Sequence, residues 1–287
     1  VYWGSNPAES HPRHMTRYAV TPKGKFIPNG RKGRTVVMVD VRRTPSARAA
    51  DIFLQVRPGK DFEILWALRG LVKGLELDES ALQDTGVTME QLEDLAERMK
   101  KARFGAFFLG QGLTQSRGKH MNTTAAFLLV RDLNDITKFS MIPMRGHGNV
   151  TGIDSVMAWQ TGYPFGVNFS RGFPRFNPGE FTMVDVMSRG DADALLAIAS
   201  DPVANLPRTV QRQLERIPVI ALDTHESETT RIAQVAFTTA TAGIGVGGTV
   251  YRMDNIPLYM SKLLELPYPS DEEVISRLLD RVKEPKL

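Results

Sequence analysis

The 287-residue sequence contains no cysteine, and this absence removes several classes of chemistry. Without thiols the chain forms no disulfide, gives no thiolate to a metal and holds no iron–sulfur cluster with its own side chains. It also lacks a secretory signal and any apolar run of the ~18 residues that a membrane span needs, so we predict a cytoplasmic protein without a span. The net charge of +4 is small and dispersed, which argues against nucleic acid as a partner.

Short β-branched runs alternate with helical stretches along the chain, which is typical of an α/β fold with mostly parallel sheets. Strands are predicted at residues 34–40, 52–56, 104–109, 194–198, 218–222 and 234–238. Helices are predicted at residues 8–19, 61–72, 88–101, 123–133, 207–216 and 271–282. Residues 162–181 are rich in Gly, Pro and aromatic side chains and have no period, so we predict an ordered, functional loop there.

The chain carries an internal repeat. Residues 1–56 and 195–239 each read as a strand, a short turn in which Asn or Asp precedes Pro, a helix, and a second strand that ends in Asp. When Asp40 is set against Asp223, the next sixteen residues align without a gap. This agreement in turn, strand end and spacing favours duplication over two unrelated units that happen to look alike.

The repeat predicts two Rossmann-like lobes around a shared cofactor cleft. We assign residues 1–135 to a first dinucleotide-binding α/β lobe and residues 136–287, with the long loop 162–181, to a second. The sequence opens on Val-Tyr-Trp-Gly, which reads as the end of a strand. We therefore expect either a processed or partial chain, or an upstream polypeptide that completes the fold.

Each lobe places groups suited to a nucleotide beyond the carboxyl ends of its strands. Gly4 lets the backbone approach a phosphate, and the free N–H groups of the following helix attract its charge. Asp40 and Asp223 each end a strand, where a carboxylate can accept from ribose hydroxyls or a guanine edge. The alternative is that Asn6 and Asp201 are plain helix caps, which the repeated pattern disfavours. Neither repeated strand–turn–helix unit carries a G-x-G-x-x-G at its turn, which disfavours an ordinary nicotinamide-binding domain.

Taken in order, six motifs resemble the molybdopterin oxidoreductase superfamily of the formate dehydrogenase and dimethyl sulfoxide reductase type. They are GSNP with HP in 4–12, DVRRT at 40–44, PGKD at 58–61, GQGLTQ at 110–115, RGHGNVTG at 145–152, and DP at 201–202 with DTHESETT at 223–230. Val41 replaces the proline usual in that family. Within the superfamily, residues 137–152, 162–180 and 247–257 look most like the B subunit of formylmethanofuran dehydrogenases.

The resemblance implies a bis(molybdopterin guanine dinucleotide) cofactor with molybdenum or tungsten, one dinucleotide to each lobe. It implies first-lobe contacts from Gly4, Asn6, His11, Asp40, Arg42, Thr44, Asp61, Gly110, Thr114 and Gln115. It implies second-lobe contacts from Gly146, Asn149, Asp201, Asp223, His225 and Thr229. The reaction of that family is the two-electron reduction of CO2 to formate, followed by condensation of formate with methanofuran in a partner subunit.

In that family a four-cysteine cluster site and the cysteine or selenocysteine metal ligand lie upstream of the G-x-N-P turn. This sequence begins at that turn, so we expect no metal ligand from it and expect the iron–sulfur cluster upstream or in partners. The partners that the resemblance implies are a formate-condensing hydrolase-like subunit, a β-barrel subunit and iron–sulfur electron-transfer subunits. The small-molecule substrate implied is CO2 or formate.

Arg145 and His147 are the candidate catalytic residues. A planar guanidinium suits a carboxylate and the charge that develops on CO2 oxygens, and an imidazole can transfer a proton near neutral pH. The alternatives are a cofactor phosphate clamp for Arg145 and a structural hydrogen bond for His147. Two further functions stay open: another molybdopterin formate dehydrogenase, or a cofactor-free scaffold subunit of a formyltransferase/hydrolase complex. The retained dinucleotide-contact residues count against the scaffold.

Overall fold

The computed structural model describes residues 1–284, which fold into two compact units that divide between Gly148 and Asn149. The boundary predicted at residue 135 is therefore too early. The reason is a strand at Lys138–Pro143, which the sequence pattern did not reveal and which pairs along its whole length with Phe104–Leu109 in the first unit.

The first unit is built on a five-stranded parallel sheet, as the α/β pattern predicted. Its strands are β1 (Tyr2–Trp3), β2 (Val37–Asp40), β3 (Ile52–Gln55), β4 (Phe104–Leu109) and β5 (Lys138–Pro143). Their order across the sheet is β3-β2-β1-β4-β5. The chain thus builds outward from β1 in one direction and then crosses to the other side at β4. The loops after β1 and β4 flank this switch point, where open α/β sheets bind ligands.

Helices cover the sheet of the first unit. They are α1 (Pro7–Ser10), α2 (Asp61–Val72), α3 (Met89–Lys101), α4 (Gln111–Thr114) and α5 (His120–Asn134). Leucines spaced three or four apart on α2, α3 and α5, among them Leu68, Leu92 and Leu129, are fully buried against the strands. The predicted capping box at Thr88 and Gln91 begins α3, and a buried ion pair between Arg69 and Asp132 joins α2 to α5.

The helix predicted at residues 8–19 is wrong. The α-helix α1 stops at Ser10, and a separate six-residue π-helix runs from His14 to Ala19. Pro12 has no N–H to donate, and Arg13 adopts a left-handed conformation with φ of 72°, so no helix continues through this turn.

The strands of the second unit are β6 (Val167–Asn168), β7 (Arg175–Phe176), β8 (Leu195–Ile198), β9 (Val219–Asp223), β10 (Val235–Thr238), β11 (Gly248–Tyr251) and β12 (Pro257–Met260). Three of them form a parallel sheet in the order β10-β9-β8. The helices of this unit are α6 (Val150–Thr161), α7 (Met183–Arg189), α8 (Pro202–Asn205), α9 (Arg208–Leu214), α10 (Glu228–Ile232) and α11 (Asp271–Lys283). A small core forms where α7 and α9 pack on the sheet through Met187, Val210 and Leu214.

Two features of the second unit differ from expectation. Residues 162–181 are not loop throughout, because β6 and β7 pair there as an antiparallel hairpin with Tyr163 stacked on Phe176. The helices α6 and α7 and the antiparallel pair β11–β12 were not predicted. Within residues 1–284, no helix is both long enough and apolar enough to cross a bilayer.

Candidate functional site

The loops after β1 and β4 touch each other at the switch point of the first sheet. Gly110 N–H donates to Trp3 O at 2.9 Å, and Gly112 N–H donates to Gly4 O at 3.0 Å. A Cβ on Gly4, whose φ is +59°, would lie 2.4 Å from the backbone nitrogen of Leu113. The missing side chain of Gly4 therefore lets two loops pack, which is a different use from the phosphate approach that the sequence suggested.

Asn6 fixes the shape of the turn after β1. Its Oδ1 accepts from Ser46 Oγ at 2.7 Å, and Ser46 Oγ in turn accepts from the backbone N–H of Ala8 at 2.8 Å. Its Nδ2 donates to Glu9 Oε2. Ser46 is fully buried, so this side chain ties the start of α1 to the segment that follows β2.

Asp201 does the same in the second lobe. Its Oδ1 accepts from Thr229 Oγ1 at 2.6 Å, and Thr229 Oγ1 accepts from the backbone N–H of Val203 at 3.1 Å. Three backbone N–H groups, of Ala204, Glu228 and Thr229, also donate to this carboxylate. Partial burial works against ionisation, but the hydrogen bond from Thr229 and those from the backbone outweigh it and lower the pKa of Asp201.

Equivalent hydrogen bonds recur in both lobes, which confirms the repeat. Gly4 N–H donates to Val39 O at 2.9 Å, and Ala199 N–H donates to Leu222 O at 2.8 Å. Both residues have positive φ, of 59° and 46°. In each lobe a side chain also accepts a hydrogen bond from a backbone N–H near the start of the second strand. Asp51 accepts from Val36 N–H in the first lobe, and Gln234 accepts from Val219 N–H in the second. The two lobes are the same supersecondary unit.

Asp40 and Asp223 occupy equivalent places at the ends of β2 and β9. Asp40 is half-buried and its Oδ1 accepts from Arg42 N–H at 3.2 Å. Asp223 is 7% exposed, accepts from Thr224 N–H at 2.7 Å and lies 3.3 Å from the exposed His225 ring. In the part of the chain that the structure describes, the Oδ2 atom of neither residue accepts a protein hydrogen bond, which leaves an acceptor for a ligand.

Asp61 belongs to a buried polar network at the switch point. Its Oδ1 accepts from Trp3 Nε1 at 2.8 Å and its Oδ2 accepts from Ser116 Oγ at 3.0 Å. Asn122, fully buried on α5, donates to Ser116 Oγ and to two carbonyls of the same loop. Burial raises the pKa of Asp61, partly offset by these hydrogen bonds and reinforced by the nearby charge of Asp40. Asp61 thus organises the loop after β4, and sequence reasoning missed its two partners, Trp3 and Ser116.

Two predicted contacts, Thr44 and Thr229, are buried at 2% and 0% exposure. Thr44 Oγ1 accepts from Ala47 N–H, and Thr229 binds Asp201 as described above. The repeat sets Thr44 opposite Ser227 and Ser46 opposite Thr229, so the two threonines are not equivalent. Their hydroxyls hold the turns in place.

The remaining first-lobe candidates line the loop after β4 and the end of β2. Gly110 is buried, Thr114 is half-buried with its hydroxyl donating to Gln111 O, and Gln115 and Arg42 are exposed. Further cations lie at this edge of the sheet: Arg57 pairs with Asp84, Lys60 lies 3.2 Å from Glu63, and Arg117 is exposed. The exposed Arg42 and Arg117 at this edge carry guanidinium groups, which suit a phosphate group.

The segment after β5 begins in an ordered way and then opens. Met144 is buried and its N–H donates to Leu109 O at 2.7 Å. The next residue, Arg145, is half-buried, and its carbonyl lies 2.6 Å from His11 Nε2. His147 is exposed with φ of 62°, and a Cβ added at Gly146 would meet no atom within 4 Å. The backbone here is open to a ligand.

The last candidate, Asn149, begins α6 in the second unit. It has a left-handed φ of 58°, and its Oδ1 accepts from Tyr251 N–H at 2.7 Å. The structure therefore gives Asn149 a clear role in joining α6 to β11, and its contact with a cofactor stays a prediction.

His14 is a further feature that the sequence did not reveal. It is 8% exposed, lies 3.0 Å from the hydroxyl of Tyr2 and packs edge-on against Phe108. Burial, with a smaller effect from His11, lowers the pKa of His14 to about 4, so it is neutral at pH 7. Over residues 1–284, no three His, Asp or Glu side chains come together as a metal site.

The chain was compared with known proteins by sequence and by fold. No family model matches the sequence. The chain is 46% identical to the B subunit of tungsten-containing formylmethanofuran dehydrogenase 2 of Methanocaldococcus jannaschii, over 286 residues that make up 99% of this chain and 65% of that protein. It is 43% identical to the Methanococcus maripaludis protein of the same name, over 100% of this chain and 66% of that protein. The chain thus spans just under two thirds of the length of these relatives.

A solved structure shares the fold. The crystal structure of the formyltransferase/hydrolase complex FhcABCD from Methylorubrum extorquens, in complex with methylofuran, contains a chain that matches with a TM-score of 0.74. The identity is 22%, over 99% of this chain and 74% of that one. The near-complete matches at 43–46% identity make this chain similar, over its length, to the B subunits of formylmethanofuran dehydrogenases.

Proposed function

We propose that this chain is the pterin-binding part of the Mo/W subunit of a formylmethanofuran dehydrogenase, which reduces CO2 reversibly to formate for formylmethanofuran synthesis. The observation that carries the proposal is the duplicated turn. In each lobe a strand beside this turn ends in an aspartate that can bind a ligand, Asp40 in the first lobe and Asp223 in the second. Two equivalent sites in one chain suit a cofactor that contains two equivalent dinucleotides.

The residues present fit a bis(molybdopterin guanine dinucleotide). In the first lobe Asp40 offers a carboxylate oxygen, and the cations at the same edge of the sheet offer charge for a pyrophosphate. In the second lobe Asp223 offers the equivalent carboxylate, beside the exposed His225. Gly146 leaves the backbone of the segment after β5 accessible. When bound, the metal–pterin group supplies two-electron redox chemistry at Mo or W.

Arg145 and His147 are the residues that this chain offers to the substrate. The guanidinium of Arg145 binds the carboxylate of formate and, in the reductive direction, holds the CO2 oxygens as charge develops on them. His147, exposed and two residues further along the chain, takes or gives a proton at a ring nitrogen.

The same proposal covers the assembly. The fold shared with the FhcABCD chain supports a subunit that works in a multi-subunit complex. We propose a formate-condensing hydrolase-like subunit, a β-barrel subunit and iron–sulfur electron-transfer subunits as its partners, in the cytoplasm. The metal ligand and the iron–sulfur cluster come from outside these residues, since the sequence contains no cysteine.

A cofactor-free scaffold is the second candidate, and the fold match to the FhcABCD chain is the observation that favours it. The two functions separate on cofactor content. The complex containing this chain, purified without oxygen, is analysed for Mo, W, iron and acid-released GMP. The redox function predicts Mo or W together with GMP; an intact, active complex with neither metal nor GMP would establish the scaffold.

An Arg145→Lys variant tests the substrate role. Lysine keeps the charge but loses the planar fork that matches a carboxylate. We expect normal metal and GMP content with turnover of CO2 or formate reduced by at least about tenfold. A parallel loss of cofactor and activity would instead make Arg145 a phosphate clamp.

A further inference from the structure

His11 joins two loops that are far apart in the sequence. Its Nε2 lies 2.6 Å from the carbonyl oxygen of Arg145, 134 residues away. A carbonyl oxygen only accepts hydrogen bonds, so Nε2 carries the hydrogen and donates it. The other ring nitrogen, Nδ1, lies 2.8 Å from Ser10 Oγ. Both polar atoms of the ring therefore have protein partners.

The imidazole is presented from a fixed backbone. His11 caps the C-terminus of α1, and its own N–H donates to Pro7 O at 3.0 Å. Ser10 Oγ lies 2.9 Å from Asn6 O, and Asn6 is held by the buried Ser46. His11 is thus connected to the turn that follows β1, which the sheet itself holds in place.

On the other side, the contact falls on the residue that follows Met144. Met144 N–H is bonded to Leu109 O, so the sheet controls the backbone up to that residue. Beyond Arg145 come Gly146 and Gly148, at each of which an added Cβ would meet no atom within 4 Å. The hydrogen bond from His11 therefore holds the backbone at the residue that comes directly before this glycine-containing stretch.

We propose that His11 is a positioning residue that sets the place of the Arg145 guanidinium by holding the Arg145 carbonyl. This rests on the proposed function, in which Arg145 binds the carboxylate of formate. It also gives His11 a role different from the cofactor contact that the family resemblance implied. A cofactor contact would need a polar ring atom to face the ligand, and both are turned to the protein.

Two variants at His11 test whether the side chain must be long enough to bond the Arg145 carbonyl, because both replace the imidazole with an amide. The side-chain amide of glutamine extends about as far as Nε2, whereas that of asparagine extends only about as far as Nδ1. In the holo complex, His11→Gln should therefore keep the bond to Arg145, and His11→Asn should lose it. We expect His11→Asn to raise the KM for formate roughly five- to tenfold with a smaller change in kcat, and His11→Gln to stay within about twofold of the wild type. Metal and GMP content should be unchanged in both variants.

Amide hydrogen exchange gives a readout that does not depend on activity. In His11→Asn, exchange at residues 145–148 should accelerate about tenfold, because the segment loses its tether. Residues 169–173, in the exposed hairpin of the second unit, serve as the internal control and should not change. In His11→Gln both segments should behave as in the wild type.

Three outcomes would overturn the proposal. Unchanged exchange at 145–148 in His11→Asn would show that the bond does not hold the segment. Accelerated exchange with an unchanged KM for formate would show that the tether does not position Arg145. Loss of GMP in both variants would make His11 a cofactor contact. A wild-type complex without metal or formate turnover would instead refute the proposed function, while the exchange experiment would still decide whether His11 tethers the segment.

Discussion

The turns after β1 and after β8 have the same shape but different chemistry. Each has a residue with positive φ, then a polar side chain that accepts from a hydroxyl 28 or 40 residues later. In the first lobe that side chain is the amide of Asn6, and in the second it is the carboxylate of Asp201. The comparison teaches that the hydrogen-bond pattern fixes the backbone, while charge and neighbouring loops differ.

The neighbours differ because only the first sheet has a strand on the far side of its first strand. There β4 and its following loop lie against Gly4, where no Cβ fits. In the second unit β8 pairs with β9 alone within the described residues, and Ala199 stands where the first lobe has Gly4. A side chain is tolerated in one copy of the turn and excluded from the other.

Gly4→Ala should produce the largest effect. The new Cβ would lie 2.4 Å from Leu113 N, on a residue with φ of +59°, so both steric overlap and backbone strain oppose it. We expect a loss of about 3 kcal/mol or more in the local free energy of unfolding of the first unit, measured by native-state hydrogen exchange.

Ala199→Gly is the matched control for that change. It removes a Cβ from a left-handed residue, so the second unit should be unchanged or gain up to about 1 kcal/mol. Equal losses in Gly4→Ala and Ala199→Gly would show that loop contact does not distinguish the two turns.

The next largest effect is expected from removing the hydroxyl that each turn binds, by Thr229→Val in the second lobe and Ser46→Ala in the first. Thr229 donates to a carboxylate and accepts from Val203 N–H, whereas Ser46 makes the equivalent bonds to a neutral amide and to Ala8 N–H. Hydrogen bonds to charged groups are stronger, so we expect losses of about 2–3 kcal/mol for Thr229→Val and about 1 kcal/mol for Ser46→Ala. Exchange rates of the Val203 and Ala8 amides measure both; the reverse order would contradict the role given to the charge.

The smallest effect concerns pH. The pKa of Asp201 is lowered in the folded chain from its ordinary 3.8, so its stabilisation is present above about pH 4 and is lost as the pH falls through the folded value. Asn6 does not titrate. Asp201→Asn should therefore make the second unit less sensitive to acid below about pH 4, as followed by circular dichroism. Asp193→Asn, at an exposed carboxylate, is the control and should leave the acid transition where it is.

The sequence predicted what depends on short-range spacing. The capping box at Thr88, the helix α2 and the alignment of the two turns all rest on residues a few positions apart, and the structure confirms them. The strand β5 escaped prediction because its short run, Lys-Phe-Ser-Met-Ile-Pro, has no clean alternation, and only its pairing with β4 makes it a strand.

The parts of the candidate site that were missed depend on long-range contacts. Trp3 and Ser116 reach Asp61 from 58 and 55 residues away, and no local pattern announces a network of that kind. The bond between His11 and Arg145 spans the first unit in the same way. Ser46 could have been found, because the repeat sets it opposite Thr229.

The most direct test of the central claim is a count of acid-released GMP per chain in the anoxically purified complex, for the wild type and for Asp40→Ala, Asp223→Ala and the double variant. If each lobe binds one dinucleotide through its strand-end carboxylate, the count should be about two in the wild type, about one in each single variant and near zero in the double variant. Full GMP content in either single variant would contradict the assignment of that lobe, and no GMP in an active wild-type complex would contradict the account as a whole.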